Sequence, residues 1–220
     1  MKTLFIPTKY NKKIAINEKH IKQLPKRICL VSSVQFVDSL KDIKKILEKD
    51  NKKVSLIKGK HSIYEGQILG CDIPSAENLD AFLFIGDGLF HPIGIQLKNE
   101  ADVFCYNPLT KDFFKLNKQE TERIKKRKKV NLTKFYHSEN IGVLISTKPG
   151  QYNYLKAKKL ENKFPEKKFH YLIFDNLDFN ELENFPFIDC FVNTACPRIA
   201  LDDLNKISKP IINLEDVEFQ

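Results

Sequence analysis

Ile28-Cys29-Leu30-Val31-Ser32-Ser33, followed by Val34-Gln35-Phe36-Val37 and the apolar series Leu40, Ile43, Ile46 and Leu47, sets the architecture of this chain. The first six residues form a short β-branched run with polar flanks, too brief for a helix, and read as a buried strand. From Phe36 onward apolar residues recur at three- and four-residue steps with lysines and acids between them, which predicts an amphipathic helix. A strand followed by a helix is the building unit of a parallel sheet. The same alternation predicts strands at Val54 to Ile57, Ala81 to Ile85 and Asp102 to Tyr106, with a loop through Cys71 and a short helix after Gly88. It restarts beyond a basic stretch with a strand at Ile141 to Ile145, a helix from Tyr152 to Phe164 and strands at Tyr171 to Phe174 and Asp189 to Val192. A turn at Ala195-Cys196-Pro197-Arg198, a helix near Leu201 to Ile207 and a last strand around Ile211 and Ile212 complete it. The expected fold is α/β: two similar three-layer lobes with mostly parallel sheets, a pseudo-repeat. The expected divisions are an N-terminal extension (1–25), a first lobe (26–110), a basic helical linker (111–138) and a second lobe (139–220).

Composition narrows the class. The 220 residues are 42% hydrophobic and 30% charged, with 17 Phe and 7 Tyr, which excludes a wholly disordered chain and permits a core without disulfide or metal staples. No apolar run approaches the roughly 18 residues of a membrane span, and the Leu4-Phe5-Ile6 stretch is too short for a signal peptide. A cytoplasmic location and no membrane partner are expected. The five cysteines, at 29, 71, 105, 190 and 196, form neither a secreted disulfide pattern nor a Cys-x-x-Cys zinc pair.

The net charge of +9 raises the question of nucleic acid. Of 37 basic residues only Arg27, Arg123, Arg127 and Arg198 are arginine. Base reading and bidentate phosphate recognition favour arginine, so no direct reading of nucleic acid is expected. Between Lys111 and Lys134 ten basic residues face three acids, Asp112, Glu120 and Glu122. That segment is either a solvated helix joining the lobes or a docking patch for an acidic macromolecule.

Ligand chemistry in parallel α/β sheets gathers at the carboxyl ends of the strands. There the chain places Gly86-Asp87-Gly88-Leu89-Phe90-His91, where glycines and a helix N-terminus suit a bound anion. Gly66 and Gly70 flank Cys71 in Gly66-Gln67-Ile68-Leu69-Gly70-Cys71. Cys196 stands at a strand-to-helix turn beside Arg198, a setting that suits a nucleophile or a metal ligand. Arg198 offers a rigid fork for a carboxylate. Cys29 and Cys190, and with them Cys105, lie inside apolar strands and read as small core residues.

Val34-Gln35-Phe36, Gly66-Gln67-Ile68-Leu69-Gly70-Cys71, Gly86-Asp87-Gly88-Leu89-Phe90-His91 and Ala195-Cys196-Pro197-Arg198, in this order, resemble the motifs of the diphthamide synthase family. These are the 2-(3-amino-3-carboxypropyl)histidine synthases of archaea and eukaryotes. The resemblance implies an iron–sulfur transferase whose three similar α/β domains each give one cysteine to a [4Fe–4S] cluster. S-adenosylmethionine, as substrate, is cleaved there in an unconventional radical reaction. The 3-amino-3-carboxypropyl group is transferred to a histidine of translation elongation factor 2, the first step of diphthamide biosynthesis. Carried over, Cys71 matches the second-domain metal ligand and Cys196 the third. Gln35, Asp87, Gly88, His91 and Arg198 are expected to shape the S-adenosylmethionine pocket, Arg198 meeting the carboxylate. No catalytic residue is assigned.

The sequence departs from the family at its start, beginning where the second domain would begin. The third cysteine is then expected from a separate protein that supplies the first domain, from a homodimer, or from Cys105 or another residue; a fourth outcome is loss of the cluster. Retention of Cys71 and Cys196 in their glycine and arginine settings favours the separate protein. A non-catalytic accessory subunit of a diphthamide synthase complex, or a small-molecule binding module without a cluster, are the competing functions.

Overall fold

The computed structural model describes residues 3–201 and 208–218. It divides into two compact units, Met1–Thr121 and Glu122–Gln220. In the first, a short helix α1 (Glu18–Ile21) precedes β1 (Arg27–Ser32), a 3-10 turn (Val34–Ser39), α2 (Leu40–Lys49) and β2 (Lys53–Ser55). β3 (Ala81–Ile85), α3 (Phe90–Lys98), β4 (Asp102–Tyr106) and β5 (Phe113–Lys115) follow. A long helix, α4 (Lys118–His137), leads into β6 (Asn140–Ser146), α5 (Tyr154–Lys163), β7 (Lys168–Phe174), β8 (Cys190–Asn193), β9 (Ile211–Asn213) and α6 (Leu214–Glu218).

The first sheet has the order β2-β1-β3-β4-β5 and the second β7-β6-β8-β9. The first four strands of the one and all four of the other are parallel; β5 joins β4 antiparallel. Numbered within each unit, both sheets read second-first-third-fourth, so the pseudo-repeat is a repeat of topology. In each the order reverses between the first and third strands, the switch point beside which α/β sheets bind ligands.

Alternation along the strands fills both faces of each sheet. Ile28, Leu30, Leu83 and Ile85 meet Phe36, Leu40, Ile43 and Leu47, whereas Cys29, Val31, Phe82 and Phe84 meet Ile68, Ile73 and Ile95. In the second unit Ile141, Val143 and Val192 meet Phe135, Ala157 and Leu160, while Leu144 and Phe191 meet Leu182 and Ala200. These are three-layer lobes.

Several boundaries differ from the sequence expectation for identifiable reasons. The helix beginning at Phe36 opens as a 3-10 turn and becomes α-helical only at Leu40. β2 ends at Ser55 rather than Ile57 because the far end of the β1 edge is taken by another segment. Ser32 N–H donates to Gly66 O at 2.8 Å, and Ile68 N–H donates to Ser32 O at 2.9 Å. The N-terminal segment is not a detached extension: Ile14, Ile16, Ile21 and Leu24 are buried in the first core. Nor does α4 act only as a connector, since Leu132 and Phe135 enter the second core and Asn131 Nδ2 donates to Ile211 O at 3.0 Å. β7 extends back to Lys168, its outer edge tolerating the polar Lys168 and His170. The helix expected near Leu201 to Ile207 lies, from residue 202 onward, outside the described residues. Among the described residues no helix is long and apolar enough to cross a membrane.

Candidate functional site

In the first unit the residues singled out from the sequence gather at the carboxyl end of the sheet. Gln35 is exposed in the 3-10 turn directly after β1, and its carbonyl accepts from Tyr10 N–H at 2.7 Å. The Gly66-Gln67-Ile68 segment is bridged to Ser32, the last residue of β1, which brings the Cys71 loop to the same edge. Gln67 is buried, and its Oε1 accepts from Ile63 N–H at 2.9 Å and Tyr64 N–H at 3.0 Å, locking the loop from within. Gly70 lies so close to the Phe90 ring that a Cβ would collide with it. The Cys71 loop is thereby seated on the first turn of α3.

After β3, Asp87 Oδ1 accepts from Gly88 N–H at 2.9 Å and from Asn107 Nδ2 at 2.8 Å. Gly88 has φ +72°, a left-handed conformation suited to glycine, and open space lies where its Cβ would be. His91, on α3, stacks on Phe84 with ring centroids 5.6 Å apart, which fixes its imidazole beside the strand end. Asp87, Gly88 and Cys71 are exposed and His91 is half-buried, so all four are within reach of a ligand.

In the second unit Cys196 and Arg198 occupy the turn after β8, the third strand of its sheet. Cys196 is the N-cap of a 3-10 turn, Pro197–Ala200, and Arg198 is exposed on that turn. A buried amide pair holds the turn. Asn193 Nδ2 donates to Cys196 O at 2.9 Å and to Asn213 Oδ1 at 2.7 Å, and its Oδ1 accepts from Ala195 N–H at 3.1 Å. Asn213 Nδ2 in turn donates to Pro197 O at 3.2 Å. Asn193 and Asn213 went unnoticed in the sequence. Their signal is an asparagine closing an apolar strand, in Cys190-Phe191-Val192-Asn193 and in Ile211-Ile212-Asn213, where a polar side chain survives only with partners. Asn107, the partner of Asp87, was missed for the same reason.

The five thiols divide by environment. Cys29, Cys105 and Cys190 are buried within strands. Burial pushes the Cys29 thiol up to about 11 and those of Cys105 and Cys190 up to about 12, which keeps them protonated and inert. Cys71 is exposed and Cys196 half-buried. Thiolate ligation of an iron–sulfur cluster needs accessible sulfur on a fixed backbone. Only these two cysteines meet that requirement, and each is held by packing or hydrogen bonds of its own loop. Among the described residues no group of three or more His, Cys, Asp or Glu side chains stands together as a metal site. By accessibility and backbone fixation, the chemistry of Cys71 and of Cys196 each fits thiolate ligation of a cluster.

Comparison with known proteins gives a consistent result. The diphthamide synthesis protein family matches residues 1–220. The 2-(3-amino-3-carboxypropyl)histidine synthase of Pyrococcus horikoshii is 31% identical over 202 residues, covering 90% of this chain and 58% of the relative. That of Methanocaldococcus jannaschii is 32% identical over 231 residues, covering 98% and 61%. Subunit 1 of the Caenorhabditis elegans synthase is 29% identical, covering 85% of this chain and 48% of the relative. A crystal structure of Dph2 from Pyrococcus horikoshii with a 4Fe-4S cluster superposes with a TM-score of 0.78 at 30% identity, covering 92% of this chain and 59% of that one. The chain thus spans about three fifths of the length of the two archaeal relatives.

Proposed function

The chain belongs to the diphthamide synthesis protein family, and from that premise we propose that it is the iron–sulfur subunit of a 3-amino-3-carboxypropyl transferase. Its substrates on this reading are S-adenosylmethionine and a histidine of translation elongation factor 2. One observation carries the proposal: of five cysteines, the two accessible ones stand at the carboxyl ends of two sheets with the same strand order, and the other three are buried.

Cys71 and Cys196 would each offer a thiolate for ligation of a [4Fe–4S] cluster, with a further thiolate supplied by a partner protein. When bound, such a cluster supplies an electron and an open iron site for cleaving S-adenosylmethionine. The residues of the chain bind and orient. The exposed Asp87 carboxylate, kept in place by Asn107, and the His91 imidazole, kept in place by Phe84, offer polar contacts at the same end of the sheet as the Cys71 loop. Arg198 offers a planar two-donor fork matched to an amino-acid carboxylate. Lysine would keep the charge there but lose that fit, so Arg198→Lys should weaken S-adenosylmethionine binding.

Anaerobic reconstitution with iron and sulfide tests the reading, with the chain alone and with a partner protein of the family. The expected result is iron uptake, broad visible absorbance and S-adenosylmethionine cleavage only when both are present. A cluster without cleavage would assign the chain an accessory role. Cleavage by the chain alone would replace the separate partner with a homodimer sharing its cysteines. Absence of iron in every combination would overturn the proposal.

A further inference from the structure

A cleft of about 560 Å³ in the first unit is lined by residues other than those of the cysteine loop. One wall is the N-terminal segment, with Tyr10, Lys13, Lys19 and His20; the other is the chain leaving β4, with Tyr106 and Lys111. Tyr106 Oη donates to Ala15 O at 2.8 Å and ties the two walls together. No Asp or Glu lines the cleft. Lys13, Lys19 and Lys111 make no ion pair among the described residues, although the chain pairs many of its other lysines. Three unneutralised ammonium groups around one concavity repel one another, and a bound anion removes that repulsion.

Two further observations point the same way. Lys111 has φ +65°, a left-handed conformation uncommon outside glycine, and its N–H donates to Asn107 O at 2.8 Å. Such backbone outliers cluster at ligand clamps. His20 is stacked flat on Phe113, with centroids 4.6 Å apart, and its buried Nδ1 has no hydrogen-bond partner among the described residues. Polar atoms in that position ordinarily have one.

We infer that this cleft is a binding site for a small organic phosphate carrying a ring, of the nucleoside di- or triphosphate class. Lysines without an arginine fork suit the point charges of a polyphosphate better than a planar carboxylate. Tyr10, half-buried in the cleft wall, supplies an aromatic surface for a ring, and the volume lies in the range of small-molecule sites. Asn107 follows directly on the β4 wall and also holds Asp87, so an occupied cleft would stiffen the Asp87 loop.

Calorimetric titration of the full chain at low salt, with pyrophosphate, ATP and adenosine in turn, tests the site. Saturable binding is expected for pyrophosphate, tighter binding for ATP, and none for adenosine. Combined Lys13→Gln, Lys19→Gln and Lys111→Gln substitution should weaken ATP at least about tenfold, the loss of one or more charge-assisted contacts. The control variant Lys125→Gln/Lys126→Gln/Lys129→Gln on α4 should bind as the native chain does. Cys71→Ala should also bind normally, because this site does not depend on the cluster reading. The inference fails if neither phosphate saturates, if the control variant loses binding in place of the cleft variant, or if single-stranded RNA binds more tightly than ATP.

Discussion

The amino ends of the two sheets are built alike, almost residue for residue, and the carboxyl ends are not. Just before the third strand of each sheet stands an aspartate, Asp80 or Asp189. Its carboxylate accepts from the N–H of the first strand's first residue, Arg27 or Asn140, at 2.9 Å in both. Each aspartate N–H returns a bond to that residue's carbonyl, again at 2.9 Å. Just before the second strand stands a lysine whose ammonium reaches a carbonyl upstream of the first strand. Lys52 reaches Leu24 O at 2.6 Å, and Lys167 reaches Ser138 O at 2.7 Å. At the carboxyl ends one thiol rides on the loop between the second and third strands, seated by Gly70 on Phe90. The other rides on the turn after the third strand, fixed by two asparagines. The repeat is kept at the amino ends, where it closes each sheet, and abandoned at the carboxyl ends, where the accessible thiols stand.

Replacing a thiol should separate the two kinds of site most sharply. Cys71→Ala or Cys196→Ala is expected to abolish iron retention and S-adenosylmethionine cleavage in the completed assembly while leaving the melting temperature unchanged. Cys29→Ala should keep both and cost about 1 kcal/mol of stability, the loss of a small buried group. Iodoacetamide provides a second reading without mutation: Cys71 and Cys196 should be alkylated in the native apo-protein, and Cys29, Cys105 and Cys190 only after unfolding. Mass spectrometry of the peptides checks it. Retention of full iron content by either accessible-cysteine variant would end the correspondence drawn between the two loops.

Gly70→Ala comes next in size. The added methyl has to displace the Phe90 ring, so the Cys71 loop must shift while Cys71 itself is untouched. Iron content and cleavage should both fall, with a stability loss of about 1–3 kcal/mol typical of overpacking. In the second unit the corresponding substitution is Asn193→Ala, which strands Cys196 O and the Asn213 amide. Its expected cost is about 1–3 kcal/mol, that of leaving buried polar groups unsatisfied. Thermal melts with parallel iron assays compare the two. Equal iron loss would mean that packing and hydrogen bonding hold a thiol loop equally well.

The strands and most helices were legible because apolar runs and three-to-four-residue spacing are local properties. The placement of Cys71 and Cys196 on accessible strand-end loops was legible because glycine and arginine are scarce in this chain and stand beside them. What escaped depends on contacts distant in sequence. Nothing near Val54 announces that β2 will yield the edge of β1 to Gly66-Gln67-Ile68, and the burial of Ile14 and Ile16 requires a core assembled elsewhere. The asparagine pair was hidden for a similar reason: Asn193 and Asn213 are both ordinary loop-forming residues until two adjacent strands bring them within 2.7 Å.

The smallest expected effect falls at the amino ends, where the two aspartates differ in one respect. Asp80 also accepts from the Arg27 side chain, at 2.9 Å from Nε and 2.6 Å from Nη2, and these bonds with the Arg27 N–H hold its carboxyl below the ordinary value. Among the described residues Asp189 has backbone donors, Glu139 N–H at 3.2 Å and Asn140 N–H at 2.9 Å, and no arginine. A lowered carboxyl value stabilises the fold above the unfolded-state value, and that contribution disappears as pH falls through the folded-state value. Asp80→Asn should therefore melt slightly below the native chain at neutral pH. The difference should close as the pH drops below the usual aspartate value of about 4, where the native carboxylate takes up its proton. Asp189→Asn keeps an amide oxygen that can accept the same backbone bonds, so its melting temperature should move less. Both variants should retain iron, since the thiols near the ends they alter, Cys29 and Cys190, are buried and the accessible Cys71 and Cys196 stand at the opposite ends of the sheets. A melting difference for Asp80→Asn that stayed constant with pH would show that the arginine adds geometry rather than charge, and the two amino ends would then be equivalent.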